Sequence, residues 1–110
     1  MTDGTYRYDL VDRTVERIVG LFSPETIIVY GPVAKGVADE YSDLNLLVVM
    51  DTDLPFFRRP PVLYRELRGI GLSMDIRVMT PDEFDYVKDD PNTYTHMIVR
   101  TGRVVYRRGM

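Results

Sequence analysis

Residues 27–50 read IIVYGPVAKGVADEYSDLNLLVVM, and the way this stretch is parsed decides the fold. It opens on an apolar run, Ile27-Ile28-Val29-Tyr30, and closes on another, Leu46-Leu47-Val48-Val49-Met50. Uninterrupted apolar runs of this length, rich in β-branched side chains, suit strands covered on both faces. Between them stand Gly31 and Pro32, then Ala34, Lys35 and Gly36, then a polar, acidic segment ending in Ser42-Asp43-Leu44-Asn45. A strand, a glycine turn, a short helix and a second strand with a polar start together make an anion site. The helix start offers unpaired N–H groups and positive partial charge. The second strand brings side chains able to hold a metal beside the anion.

Upstream, Val11, Val15, Ile18, Val19 and Phe22 recur at helical spacing, with Asp12, Arg13, Glu16 and Arg17 between them. After a loose start over Met1 to Tyr8, Asp9 is expected to cap this helix, and Gly20 with Ser23-Pro24 to end it. A strand follows over Thr26 to Tyr30. Pro32 suits the first position of a short helix that Gly36 stops. The loop with Asp39 and Glu40 reads as solvated, and a second strand runs from near Asp43 to Met50.

Downstream, DTDLPFFRRPP at 51–61 contains three prolines and cannot form a regular helix or a central strand. Phe56 and Phe57, set beside Arg58 and Arg59, either fold back onto the core or cover a partner or substrate. Pro61 starts a helix with Leu63, Leu67 and Ile70 on one side. The third strand, Leu72 to Met79, alternates Met74, Ile76 and Val78 with Ser73, Asp75 and Arg77, so one of its faces is polar. Thr80-Pro81-Asp82-Glu83 is a capping box. Asp90-Pro91 opens a last helix with Tyr94, Met97 and Ile98 inward and Gly102 as its stop. His96 in that helix has no Cys or second His near it and reads as a surface or interface residue. Val104 to Tyr106 make a closing strand.

The stretch that opens the chain's core resembles the signature of the nucleotidyltransferase superfamily, whose fold is that of the DNA polymerase β palm. The family pattern is Gly-Ser, ten residues, then Asp-x-Asp. Here Gly31-Pro32 is followed by ten residues and Asp43-Leu44-Asn45. Lys35-Gly36 stands where the family has Arg-Gly, and Ser42 precedes the first aspartate. Two positions depart from the pattern: Pro32 replaces the serine, and Asn45 replaces the second aspartate.

The resemblance implies an α/β (α+β) nucleotidyltransferase fold over residues 1–110, a small mixed sheet with helices packed mainly on one face. It implies Mg²⁺-dependent transfer of a nucleotidyl group, such as AMP, from ATP or another nucleoside triphosphate to a protein or small acceptor. Asp43 and Asp75 are the implied catalytic carboxylates. Gly31, Pro32, Lys35 and Ser42 are the implied nucleotide-binding positions, and Asp43, Asn45 and Asp75 the implied metal ligands. Carboxylates are needed because they supply the hard oxygen ligands that Mg²⁺ prefers. Asn45 brings only a neutral oxygen, and Pro32 neither a hydroxyl nor an N–H, so a weakened or lost activity is the expectation that competes with catalysis. In that case the chain is a binding module. Small members of the family are often the antitoxin partners of a HEPN-type toxin, and a homodimer is the other association considered.

Composition narrows these classes. A formal charge of −3 argues against bulk nucleic-acid binding, which calls for a basic surface. No apolar stretch approaches a membrane span, and MTDGTYRYDL carries no signal-peptide pattern. Without cysteine there is no disulfide framework and no thiolate metal site. A cytoplasmic location is expected.

Overall fold

The computed structural model describes residues 6–109. Its elements are α1 (Tyr8–Phe22), β1 (Thr26–Tyr30), β2 (Leu44–Val49), a 3₁₀ turn (Phe56–Arg58), α2 (Arg59–Glu66), β3 (Met74–Met79), α3 (Pro81–Val87), α4 (Tyr94–Thr101) and β4 (Arg103–Arg107). The strands form one mixed sheet in the order β3-β2-β1-β4. β1 runs antiparallel to both of its neighbours, while β2 and β3 are parallel.

The apolar runs do what their composition requires. Every residue of β1 is buried, as are five of the six in β2. The alternation of side chains divides them between two cores. Ile27, Val29, Leu44, Leu46, Val48, Ile76 and Val78 meet α1 and α2 in the larger core. Ile28, Tyr30, Leu47 and Val49 meet Phe84 of α3 and Ile98 of α4 in the smaller one. The heavier helix layer thus lies on one face, and two short helices cover part of the other. Among the described residues no helix is long and apolar enough to cross a membrane.

α1 buries Leu10, Val11, Thr14 and Ile18. Thr14 is tolerated there because its hydroxyl donates to the Leu10 carbonyl at 2.7 Å. The helix begins one residue before the expected Asp9 cap. Asp9 lies in its first turn, where two hydrogen bonds from Arg7, at 2.8 and 2.9 Å, hold its carboxyl below the usual range. The helix ends at Phe22, where Ser23 takes a left-handed conformation (φ 48°) and donates its N–H to the Val19 carbonyl. Tyr6 belongs to the larger core rather than to a loose start. The remainder of that expectation, residues 1–5, lies outside the described residues.

Other boundaries shift for local reasons. Residues 31–36 form hydrogen-bonded turns and not the short helix expected after Gly31, since Gly36 at φ 73° breaks the helical path after one turn. α2 starts at Arg59 with both prolines in its first turn, where their missing N–H groups cost nothing. β3 begins at Met74 rather than Leu72. On its outer edge the Tyr64 hydroxyl accepts from the Ile76 N–H at 2.7 Å and donates to the Met74 carbonyl at 3.3 Å. α4 starts at Tyr94, capped by the Thr93 hydroxyl, and not at Asp90-Pro91. The capping box at Thr80 is present with both of its hydrogen bonds.

The loop before α2 reverses the usual partition of residue types. Phe56 and Phe57 are 50% and 76% exposed, while Arg59 is 7% exposed. Arg59 is accepted inside because its donors are used. Nε reaches the Leu54 carbonyl at 2.8 Å, Nη1 the Val78 carbonyl at 3.3 Å, and the two Nη atoms the Glu83 carboxylate at 2.6 and 3.1 Å. One guanidinium therefore joins the loop, α2, the end of β3 and the cap of α3.

Candidate functional site

The sheet register assembles the site. Tyr30 pairs with Asn45 across β1 and β2, and Asn45 pairs with Asp75 across β2 and β3. These residues form one row, on the face opposite to Leu44, Leu46 and Ile76. Asn45 is partly buried and Asp75 exposed. Arg77, two residues beyond Asp75, stands on the same face. Its guanidinium carbon lies 4.5 Å from the ring centroid of Tyr94 on α4. Tyr94 in turn meets Tyr30 edge to face, with centroids 6.1 Å apart.

Gly31 ends β1 with φ 80°, a conformation that side chains rarely adopt. The Asn45 amide occupies the space a side chain would need: a Cβ on Gly31 would lie 2.6 Å from Asn45 Nδ2. The turn and the row are thus in direct contact.

Asp43 lies one residue before β2, not within it. The ladder begins with the Leu44 N–H donating to the Ser73 carbonyl at 2.8 Å, so strand alternation fixes Asn45 and Asp75 but not the Asp43 side chain. Asp43 adjoins Tyr6, Ser42 and Ser73 around a cavity of about 300 Å³. Tyr6 is 4% exposed and its hydroxyl has no hydrogen-bond partner among the described residues. Burial, then Tyr8, then the charge of Asp43, push that hydroxyl up to about 12.

The remaining expected binding residues are placed less simply. Ser42 is engaged inside its own loop. Its Oγ accepts from the Asp39 N–H at 3.0 Å and donates to the Asp39 carboxylate at 3.2 Å. The Lys35 N–H donates to the Gly31 carbonyl at 3.2 Å and so is not free to face an anion. The N–H groups of Val33 and Ala34 have no partner among the described residues. Pro32 and the Lys35 side chain are exposed. The turn therefore offers two N–H donors and a lysine.

A clamp of two metal ions does not suit this donor set. Asn45 contributes no charge, and among the described residues no three His, Cys, Asp or Glu side chains gather as a metal-holding group. His96 is partly buried, with Nδ1 2.9 Å from the Lys88 carbonyl, apart from the row. Reading along the chain misses Tyr6, Tyr30 and Arg77 as residues of this region. The sole signal for Arg77 is its place on the polar side of the alternation in β3. Tyr94 was expected inward, and instead lies half-exposed against Arg77.

No family model matches the sequence, and no curated protein matches it. Among solved structures the chain is similar to a protein from Sulfolobus solfataricus provisionally described as a nucleotidyltransferase. The two are 24% identical with a TM-score of 0.61, over 91% of this chain and 79% of that one. The four-stranded mixed sheet with its helices is a nucleotidyltransferase-like fold.

Proposed function

We propose that the chain binds a nucleoside triphosphate such as ATP at the Gly31 turn, and transfers its nucleotidyl group slowly to a protein or small acceptor. The observation that supports this reading is the contact between the glycine turn and the Asn45–Asp75 row, which sets a backbone anion site against metal-type ligands. Asp43, Asp75 and the Asn45 carbonyl oxygen suit one Mg²⁺, an ion that commonly takes one or two carboxylates together with substrate phosphates. When bound, that ion neutralises phosphate charge and eases ionisation of the attacking hydroxyl. The chain's own residues do the rest. The N–H groups of Val33 and Ala34 and the Lys35 ammonium orient the phosphates. Asp75 Oδ takes the proton of the acceptor hydroxyl as its oxygen bonds to the α-phosphorus, and the bond to the β-phosphate oxygen breaks to release pyrophosphate. Slow transfer follows from the neutral amide at Asn45 and from the donors missing at Pro32.

The test restores both. Asn45→Asp is expected to raise Mg²⁺ affinity and increase nucleotidyl transfer from labelled ATP. Pro32→Ser is expected to tighten ATP binding by about 1–2 kcal/mol, the scale of one or two hydrogen bonds to a charged group. A folded double variant that binds neither Mg²⁺ nor ATP in calorimetry would remove the nucleotide reading.

Exposed Phe56 and Phe57 favour a second reading, a binding module without catalysis. Aromatic and arginine side chains dominate interface energetics, and Arg58 stands beside the rings. The partner is a second copy of the chain or a HEPN-type protein.

A further inference from the structure

Among the described residues two arginines, Arg59 and Arg77, are partly or fully buried, and they differ in what their donors do. Arg59 directs its N–H groups to two carbonyls and a carboxylate. Arg77 is partly buried on the β3 face, yet it makes no ion pair within 4 Å among the described residues, and the Tyr30 hydroxyl beside it takes at most one of its five N–H donors. What holds it is the face of Tyr94. Stacking on a ring leaves the in-plane N–H groups of a guanidinium unspent, and those are the groups that grip phosphate bidentately. The Tyr30 residue is 3% exposed, and its hydroxyl lies against Arg77 with no well-aligned hydrogen bond among the described residues. Buried polar groups nearly always find partners, so this corner of the sheet holds donors that the chain itself does not satisfy. It is also the place where the ligand set falls short of a two-ion clamp.

From these observations we infer that Arg77 is a phosphate-binding residue whose fixed positive charge stands in for a second metal ion, so that nucleotide binding persists without Mg²⁺. The inference rests on the nucleotide reading above and adds to it the residue that carries the charge. With a neutral amide at Asn45, the site holds one negative charge fewer than a set of three carboxylates would and requires less added cation. The ring of Tyr94 holds the guanidinium in place before any ligand arrives, which lowers the ordering cost of binding.

The experiment is calorimetric titration of the full chain with ATP, once in EDTA and once in excess Mg²⁺. ATP is expected to bind in both, with affinities within about tenfold of each other. Arg77→Met is expected to weaken binding in EDTA by about 10–100-fold, the equivalent of one charge-assisted contact. Arg77→Lys keeps the charge without the planar fork and is expected to fall between the two. Inorganic tripolyphosphate is expected to displace ATP from the wild type in EDTA. Thermal melts show whether each variant is folded, and Arg77→Lys serves as the test if Arg77→Met is not. ATP binding that disappears in EDTA, or that folded Arg77 variants leave within about twofold, overturns the role of Arg77 and leaves the nucleotide reading standing. No ATP binding in either buffer overturns both.

Discussion

Gly31 shows how much one residue can decide. Two separate demands meet there: a positive φ of 80°, and no room for a Cβ beside the Asn45 amide. Gly31→Ala would meet both, so it is expected to destabilise the fold by about 1–3 kcal/mol, the usual cost of forcing extra volume into a packed site. Urea unfolding of the variant measures this. A change below about 0.5 kcal/mol would mean that Asn45 yields freely and that the turn and the row are not mechanically joined. The need for glycine at this point was legible in the sequence, because a tight turn between two buried strands calls for it. Its contact with Asn45 was not, since that depends on strand register across a loop.

At the scale of elements, the Arg59–Glu83 pair joins segments that share no backbone ladder. Glu83 accepts from the Thr80 N–H at 2.9 Å as well as from Arg59. Glu83→Ala leaves a buried guanidinium without its carboxylate and is expected to cost about 2–3 kcal/mol in unfolding experiments, within the range for bonds to charged groups. The pair also sets a pH dependence. Arg59, and next the Thr80 N–H, hold the Glu83 carboxyl below its ordinary value of 4.5. A carboxyl lowered on folding contributes stability that is complete above the unfolded pKa and is lost as pH falls through the folded one. Stability is therefore expected to decline below pH 4.5, more steeply in the wild type than in Glu83→Gln. Equal slopes in acid denaturation would exclude this pair as a contributor. The capping box was legible in Thr80-Pro81-Asp82-Glu83, because it is a local pattern. That the same Glu83 would hold Arg59, across 24 residues, was not.

For the whole molecule, the surface that bears on association is the loop carrying Phe56 and Phe57. Two adjacent rings this exposed, flanked by Arg58, are expected to meet a second copy. Purified wild-type protein is expected to show a concentration-dependent mass above the monomer in light scattering. The Phe56→Ser, Phe57→Ser double variant is expected to remain monomeric, with stability within about 0.5 kcal/mol of wild type, as for other surface changes. A wild type that stays monomeric at every concentration removes the homodimer and leaves a different protein as the occupant.

The sequence by itself determined the strands, the glycine turn and the order of polar and apolar faces. These follow from the intrinsic periods of the backbone and the conformational limits of glycine and proline, which act within a few residues. The alternation in β3 already placed Asp75 and Arg77 on one side, and the period of β2 set Asn45 opposite to Leu44 and Leu46. Only the tertiary structure decided that Tyr30, Asn45 and Asp75 form one row, that Asp43 stands outside the ladder, and that Arg59 is inside while Phe56 and Phe57 are outside. Each of those depends on register or on partners distant in the chain. A guanidinium enters a core when carbonyls and a carboxylate converge on it, and no local pattern records that convergence.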